Sequence, residues 1–167
     1  PAPGVKGAMA TAALETEGIK AASVRRLIFL PETHIQVWGK PQLKIDVVKS
    51  GDVKGTPDMR TRAYLPRWCA EVDISYVQPT LSAHAIVSLL TNAGTIVGIG
   101  DFRQEKGSGS FGCFQVLTED RAFPIEGREV QQASYDDPEF ADDITAELMQ
   151  AMEEERARRD ITLVAAE

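Results

Sequence analysis

Residues 98–112 read Gly98-Ile99-Gly100-Asp101-Phe102-Arg103-Gln104-Glu105-Lys106-Gly107-Ser108-Gly109-Ser110-Phe111-Gly112, five glycines in fifteen positions around a short charged insert. Glycine has no Cβ, so it takes positive φ readily and lets a backbone lie close to a ligand or to another backbone. Context decides what such a run means. Upstream, Leu81 to Ala93 has the spacing of an amphipathic helix, with Ala83, Ile86, Val87, Leu90 and Ala93 as its stripe, Thr80 as cap and Gly94 as stop. Downstream, Cys113 to Leu117 reads as a strand. A dinucleotide fingerprint needs its glycines between a strand and the start of a helix, and a phosphate loop ends Gly-Lys-Ser/Thr; here the order is helix, glycines, strand, and Lys106 precedes Gly107. Taken alone, the run is a tight turn beside an edge strand.

Moving outward, Cys69 to Val77 alternates, with Ala70, Val72, Ile74 and Tyr76 on one side and Glu71, Asp73 and Ser75 on the other. That pattern predicts a strand with one wet face and antiparallel neighbours. Residues 49–62 hold two glycines, a proline and four basic residues without apolar periodicity, and predict a long basic loop. Leu43 to Val48 predicts a half-buried strand, while Val24 to Leu30 and Thr33 to Trp38 predict two short strands or a strand and an irregular turn. Residues 5–17, with Val5, Ala8, Met9, Ala12 and Ala13 at helical spacing and Gly18 behind them, predict a first helix.

The chain of 167 residues is the size of one domain with an arm. No window approaches the ~18 consecutive apolar residues of a membrane span, and the opening residues have neither the basic start nor the apolar stretch of a secretory signal. Two cysteines, Cys69 and Cys113, read as buried thiols, and with two histidines they suggest no metal site; no cofactor is expected. The net charge of −7 is uneven: residues 1–134 hold 15 basic and 14 acidic residues, whereas residues 135–167 hold 3 and 11. The acidity belongs to the end of the chain. We therefore expect a domain at 1–134 and an acidic arm at 135–167. In the arm, Ile144, Leu148 and Met152 form a thin helical stripe for a partner, and Ile161 to Val164 could join a sheet edge.

The helix followed by Gly98-Ile99-Gly100 and Gly107-Ser108-Gly109-Ser110-Phe111-Gly112 resembles the carboxy-terminal glycine-rich loop of the RAMP superfamily, the ferredoxin-like RNA-binding proteins of CRISPR effector complexes. Pro3-Gly4-Val5-Lys6-Gly7-Ala8 resembles the run that starts their first helix. More specifically, Arg60-Thr61-Arg62, Pro66-Arg67-Trp68, Gly98 to Arg103 and Phe111-Gly112-Cys113-Phe114 are similar to a group of tailed-phage and prophage proteins, over roughly residues 1–118. The resemblance implies an α+β, ferredoxin-like (RRM-like) core, an antiparallel sheet with packed helices, lacking the family's first strand. It also implies a phage protein in the cytoplasm of the infected bacterial host or in the virion.

On that reading the glycine-rich loop (Gly98, Gly100, Gly107, Gly109, Gly112) packs on the first helix. Lys6, Lys54, Arg60, Arg62, Arg67, Arg103 and Lys106 neutralise phosphates of single-stranded nucleic acid, DNA or RNA, and Tyr64, Trp68, Phe102 and Phe111 are available for stacking. Arg60 and Arg62 share parity on an extended segment. The expected function is non-catalytic binding through the backbone, with assembly into homo-oligomers through the arm. A phage virion or assembly protein acting through protein contacts is the first alternative, and a RAMP-type RNA-processing endonuclease using His34 or His84 is the second.

Overall fold

The structure, a computed structural model, describes residues 1–49, 51, 55–106, 109–117 and 128–164. It is an α+β protein with five α-helices and three small sheets among those residues. The chain forms two compact units, Pro1–Val37 with Ala70–Pro124, and Trp38–Cys69 with Ile125–Glu167. Charge divides the sequence at 134/135; packing divides it by interleaving, because the chain leaves the first unit for one hairpin and leaves it again for its last helices.

In the first unit, α1 (Ala2–Ala12) starts at Pro1 and carries Pro3 in its first turn, where a missing N–H removes no helical bond. Val5, Ala8, Met9 and Ala12 are buried at helical spacing. Small alanines let α2 (Ala21–Leu27), α3 (Ala83–Asn92) and the turn after α3 approach α1 closely. Met9, Val24, Ile28 and Leu89 are the largest apolar side chains fully enclosed there, each adding roughly 1.5–3 kcal/mol by burial. Phe114, Val72, Ile74 and Tyr76 pack on this core from its edge.

Several expectations change in this unit. The helix expected at 5–17 begins at Ala2, passes into a 3-10 turn at Ala13–Glu15 and stops before Gly18. Val24 to Leu27, expected as strand, is the end of α2, and only β1 (Ile28–Phe29) is extended, since Val24 and Ile28 one helical turn apart both reach the core. The cap of α3 is Ser82, whose Oγ accepts from the Ala85 N–H at 3.2 Å, not Thr80. Gly94 does not stop the helix: the chain continues through a π turn, Ala93–Val97, and ends at Gly98, whose N–H donates to the Ala93 carbonyl at 2.8 Å. Cys69 to Val77 is two short strands, β5 (Cys69–Ala70) and β6 (Ser75–Tyr76), not one. Its alternation survives as burial: Glu71, Asp73 and Ser75 are exposed while Val72, Ile74 and Tyr76 are partly covered. β6 pairs antiparallel with β1, Ile28 opposite Tyr76. Cys113 to Leu117 is not a strand.

In the second unit, β3 (Gln42–Lys49) pairs along its length with antiparallel β4 (Pro57–Tyr64). Half of the stretch expected as a loop is therefore strand, made so by its partner and not by its own polar composition. β2 (Val37–Trp38) forms a separate two-stranded sheet with β5. After α4 (Arg128–Asp136), the two-residue β7 (Glu139–Phe140) adds in parallel to β3, and α5 (Asp143–Val164) follows. Ile161 to Val164 continues α5 as helix instead of forming an edge strand. Beyond its first turns α5 is exposed, and it carries Glu154–Arg158 and Glu155–Arg159 pairs with the acid one turn before the base, the favourable order.

Candidate functional site

The glycine-rich segment closes on itself. The Ile99 N–H donates to the Gly112 carbonyl at 3.0 Å, and the Phe111 N–H donates to the Phe102 carbonyl at 3.2 Å. Arg103 and Phe111 form a parallel bridge. A Cβ on Gly109 would lie 1.7 Å from the Phe102 carbonyl oxygen, and one on Gly112, at φ +71°, would lie 1.7 Å from the Ile99 oxygen. Those two positions admit no side chain. Gly98 and Gly100 also sit at positive φ, whereas Gly107 lies outside the described residues. The π turn that leads into the loop, Ala93–Val97, packs against α1.

This closed loop presents two phenyl rings. Phe102 holds φ +54°, an uncommon backbone for a side-chain-bearing residue, and its ring is 5.7 Å from that of Phe111 with the planes tilted by 58°. Phe102 is 57% exposed and Phe111 38%. Between them Arg103 is held inside the loop: Nε donates to Glu105 Oε2 at 2.8 Å, and Nη1 donates to the Gly100 carbonyl at 3.1 Å. Cys113, expected as a buried thiol, is exposed here, with its Sγ 3.7 Å from Gln104 Oε1. Cys69 is buried as expected, and burial pushes its thiol pKa up.

The other basic residues fall in two places. Lys6, on α1, stands over the Phe29 ring at 5.6 Å. In the second unit, Arg60 and Arg62 do share a face of β4, opposite Asp46 and Lys44. That face is charge-compensated. Arg60 Nε donates to Asp58 Oδ2 at 3.1 Å, Arg62 Nη1 donates to Asp46 Oδ2 at 3.2 Å, and Lys44 Nζ lies 2.8 Å from Asp142 and 3.7 Å from Asp46. Arg67 is exposed, and Tyr64 and Trp68 are half-buried. Lys54 and the Lys106 side chain lie outside the described residues. The structure thus brings Arg60 and Arg62 together, and places Lys6 and Arg103 in the other unit.

Sequence reading missed the most organised polar cluster. Asp142 caps α5, its Oδ1 accepting from the Thr145 N–H at 2.8 Å and from the Thr145 hydroxyl at 2.6 Å. The same hydroxyl accepts the Ile45 N–H at 3.2 Å, satisfying a β3 donor just past the end of short β7. Thr145 is fully buried. Hydrogen bonds from Lys44 and Thr145 hold the Asp142 carboxyl at about 2, well below its ordinary value. The same contact raises Lys44. Lys40 likewise pairs with Glu139 and lowers it. Asp142-Ile144-Thr145 spacing, an acidic cap three residues before Thr145, was the available signal. The arm's stripe meets solvent unevenly: Ile144 is 66% exposed and Met152 41%, while Leu148 is half-buried.

His34 and His84 are both exposed, and the His34 Nδ1 contacts the Thr33 hydroxyl at 3.2 Å. No group of three metal-ligating side chains occurs among the described residues, and no helix among them is long and apolar enough to cross a membrane. No family model, no curated protein and no solved structure matches this chain.

Proposed function

We propose that this is a non-catalytic phage protein that binds single-stranded nucleic acid, with a RAMP-like, ferredoxin-like core, acting in the cytoplasm of an infected bacterial host. The observation that carries the reading is the pair of exposed rings, Phe102 and Phe111, on a loop closed by its own backbone hydrogen bonds. Rings held beside each other by backbone hydrogen bonds offer unpaired bases a stacking surface that is indifferent to sequence, with ~1–3 kcal/mol lost per base when such a ring is removed. On this reading Lys6 and Arg103 contact phosphates in the first unit, and Arg60, Arg62 and Arg67 do so separately in the second, Arg60 and Arg62 by exchanging carboxylate partners for phosphates.

A second reading, a virion or assembly protein that works through protein contacts, draws on a different observation. The arginine face is already neutralised by Asp46 and Asp58, and the whole chain carries −7. Fluorescence anisotropy with labelled single-stranded RNA and DNA across a salt series separates the two. Binding that falls steeply with salt, and that weakens in Phe102→Ala with Phe111→Ala, supports the first. Absence of binding at low salt by the folded protein overturns it in favour of the second.

A further inference from the structure

β4 is the outermost strand in the order β4-β3-β7, so Pro57–Thr61 has a strand neighbour on one side only among the described residues. Residues 57–61 are all exposed. An open edge of this length offers N–H and C=O groups that only water or another strand satisfies, and proteins ordinarily shield such edges. On one face of this edge Met59 stands directly opposite Val47, and the two are 54% and 67% exposed. On the other face Asp58 and Arg60 carry opposite charges two residues apart.

We propose that a second copy of this chain pairs with this edge, β4 against β4 in antiparallel fashion, about a two-fold axis through Met59. An axis perpendicular to the sheet keeps each side chain on its own face and sets opposite each other the residues equidistant from the axis. Centred on Met59, it places Asp58 of each copy against the partner's Arg60, so the bond each strand makes within itself is exchanged for two across the joint. Centred on Arg60, it opposes that arginine to itself; centred on Thr61, it opposes Arg60 to Arg62. Charge therefore selects the Met59 register. In that register Met59 meets its own copy with a Val47 on either side, closing an apolar row that is exposed in the single chain. The mode is strand addition, in which the backbone supplies affinity and the side chains supply register.

The test uses the full chain. Sedimentation velocity over a concentration series shows a dimer, and Asp58→Arg raises its dissociation constant by about tenfold while Asp58→Arg with Arg60→Asp recovers it. Independently, in a Cys113→Ser background, Met59→Cys cross-links to a covalent dimer under mild oxidation and Thr61→Cys does not, because the latter faces the partner's Pro57. Circular dichroism melts verify that each variant is folded. A single monomeric mass at every concentration, equal cross-linking at positions 59 and 61, or a dimer indifferent to Asp58→Arg but abolished by Leu148→Lys overturns the proposal. Arg60 serves both readings, so the nucleic-acid reading is tested separately, by anisotropy with the Phe102 and Phe111 variants, and failure of one is distinguishable from failure of the other.

Discussion

Lys44 Nζ lies 2.8 Å from Asp142 Oδ2, joining a strand to the cap of a helix 98 residues further along the chain. The contact ties the start of the acidic arm to β3, and through Thr145 it also closes the hydrogen bonding of the Ile45 backbone. The first turn of α5 is therefore part of the sheet's construction, whatever the rest of the arm binds.

The sign of its pH dependence follows. Asp142 is depressed from an ordinary 3.8 to about 2, so it contributes stability that is present above the unfolded value and is lost as pH falls through the folded one. We expect the wild-type melting temperature to drop on acidification between about pH 4 and 2, and Asp142→Asn, which keeps a capping side chain, to flatten that limb. Thermal melts of both proteins across the acid range check it; identical acid limbs would remove Asp142 from the account.

Burial ranks two aliphatic positions on α3. Leu89→Ala should cost ~2–5 kcal/mol, since the side chain is fully enclosed, whereas Val87→Ala, half exposed, should stay within ~0.5 kcal/mol. Urea unfolding of the two variants gives the comparison, and similar midpoints would contradict the placement of the core.

The glycine loop makes an ordered prediction. Gly112→Ala and Gly109→Ala must displace backbone carbonyls 1.7 Å from the new Cβ, while Gly100→Ala meets nothing within 4 Å and bears only the strain of positive φ, of order 1–3 kcal/mol. Calorimetry should therefore find Gly100→Ala the mildest of the three. A Gly112→Ala protein that melts like wild type would show that the loop does not close as described.

Replacing Arg60 and Arg62 together with alanine should weaken single-strand binding by ~1–3 kcal/mol and flatten its salt dependence on the proposed reading. Because both pairs are partly solvent-exposed, stability should change by no more than ~1 kcal/mol for each. Anisotropy and denaturation on the same variant separate the two effects, and an unchanged salt slope would take both arginines out of the interface.

For the arm, Leu148→Lys with Met152→Lys places two charges on the stripe without disturbing the Asp142 cap. If α5 docks on a second subunit, light scattering should show a smaller mass for the variant. Equal masses would confine the assembly to other surfaces.

Elements whose residues interact locally were legible in the amino-acid pattern. Helical spacing at Val5, Ala8, Met9 and Ala12 appears in the buried face of α1, because i, i+3 and i+4 positions share a face whatever surrounds them. In α3 the expected stripe is shifted: Ile86 is buried as expected, Val87 is half exposed, and Leu89, outside the expected stripe, is enclosed. Alternation at Glu71, Asp73 and Ser75 likewise appears as exposure even where no ladder forms. The glycines also marked a close backbone approach before its partner, the Phe102 carbonyl, was known. Other features depend on partners distant along the chain. Residues 57–62 read as loop and are strand, since their hydrogen bonds come from β3 and not from their own residues. Val24–Leu27 reads as strand and is helix, since apolar runs too short to show a period take the form their neighbours bury. The Lys44–Asp142–Thr145 cluster was invisible because its members are two ordinary surface residues and a threonine until β7 adds to β3 and brings the start of α5 beside it.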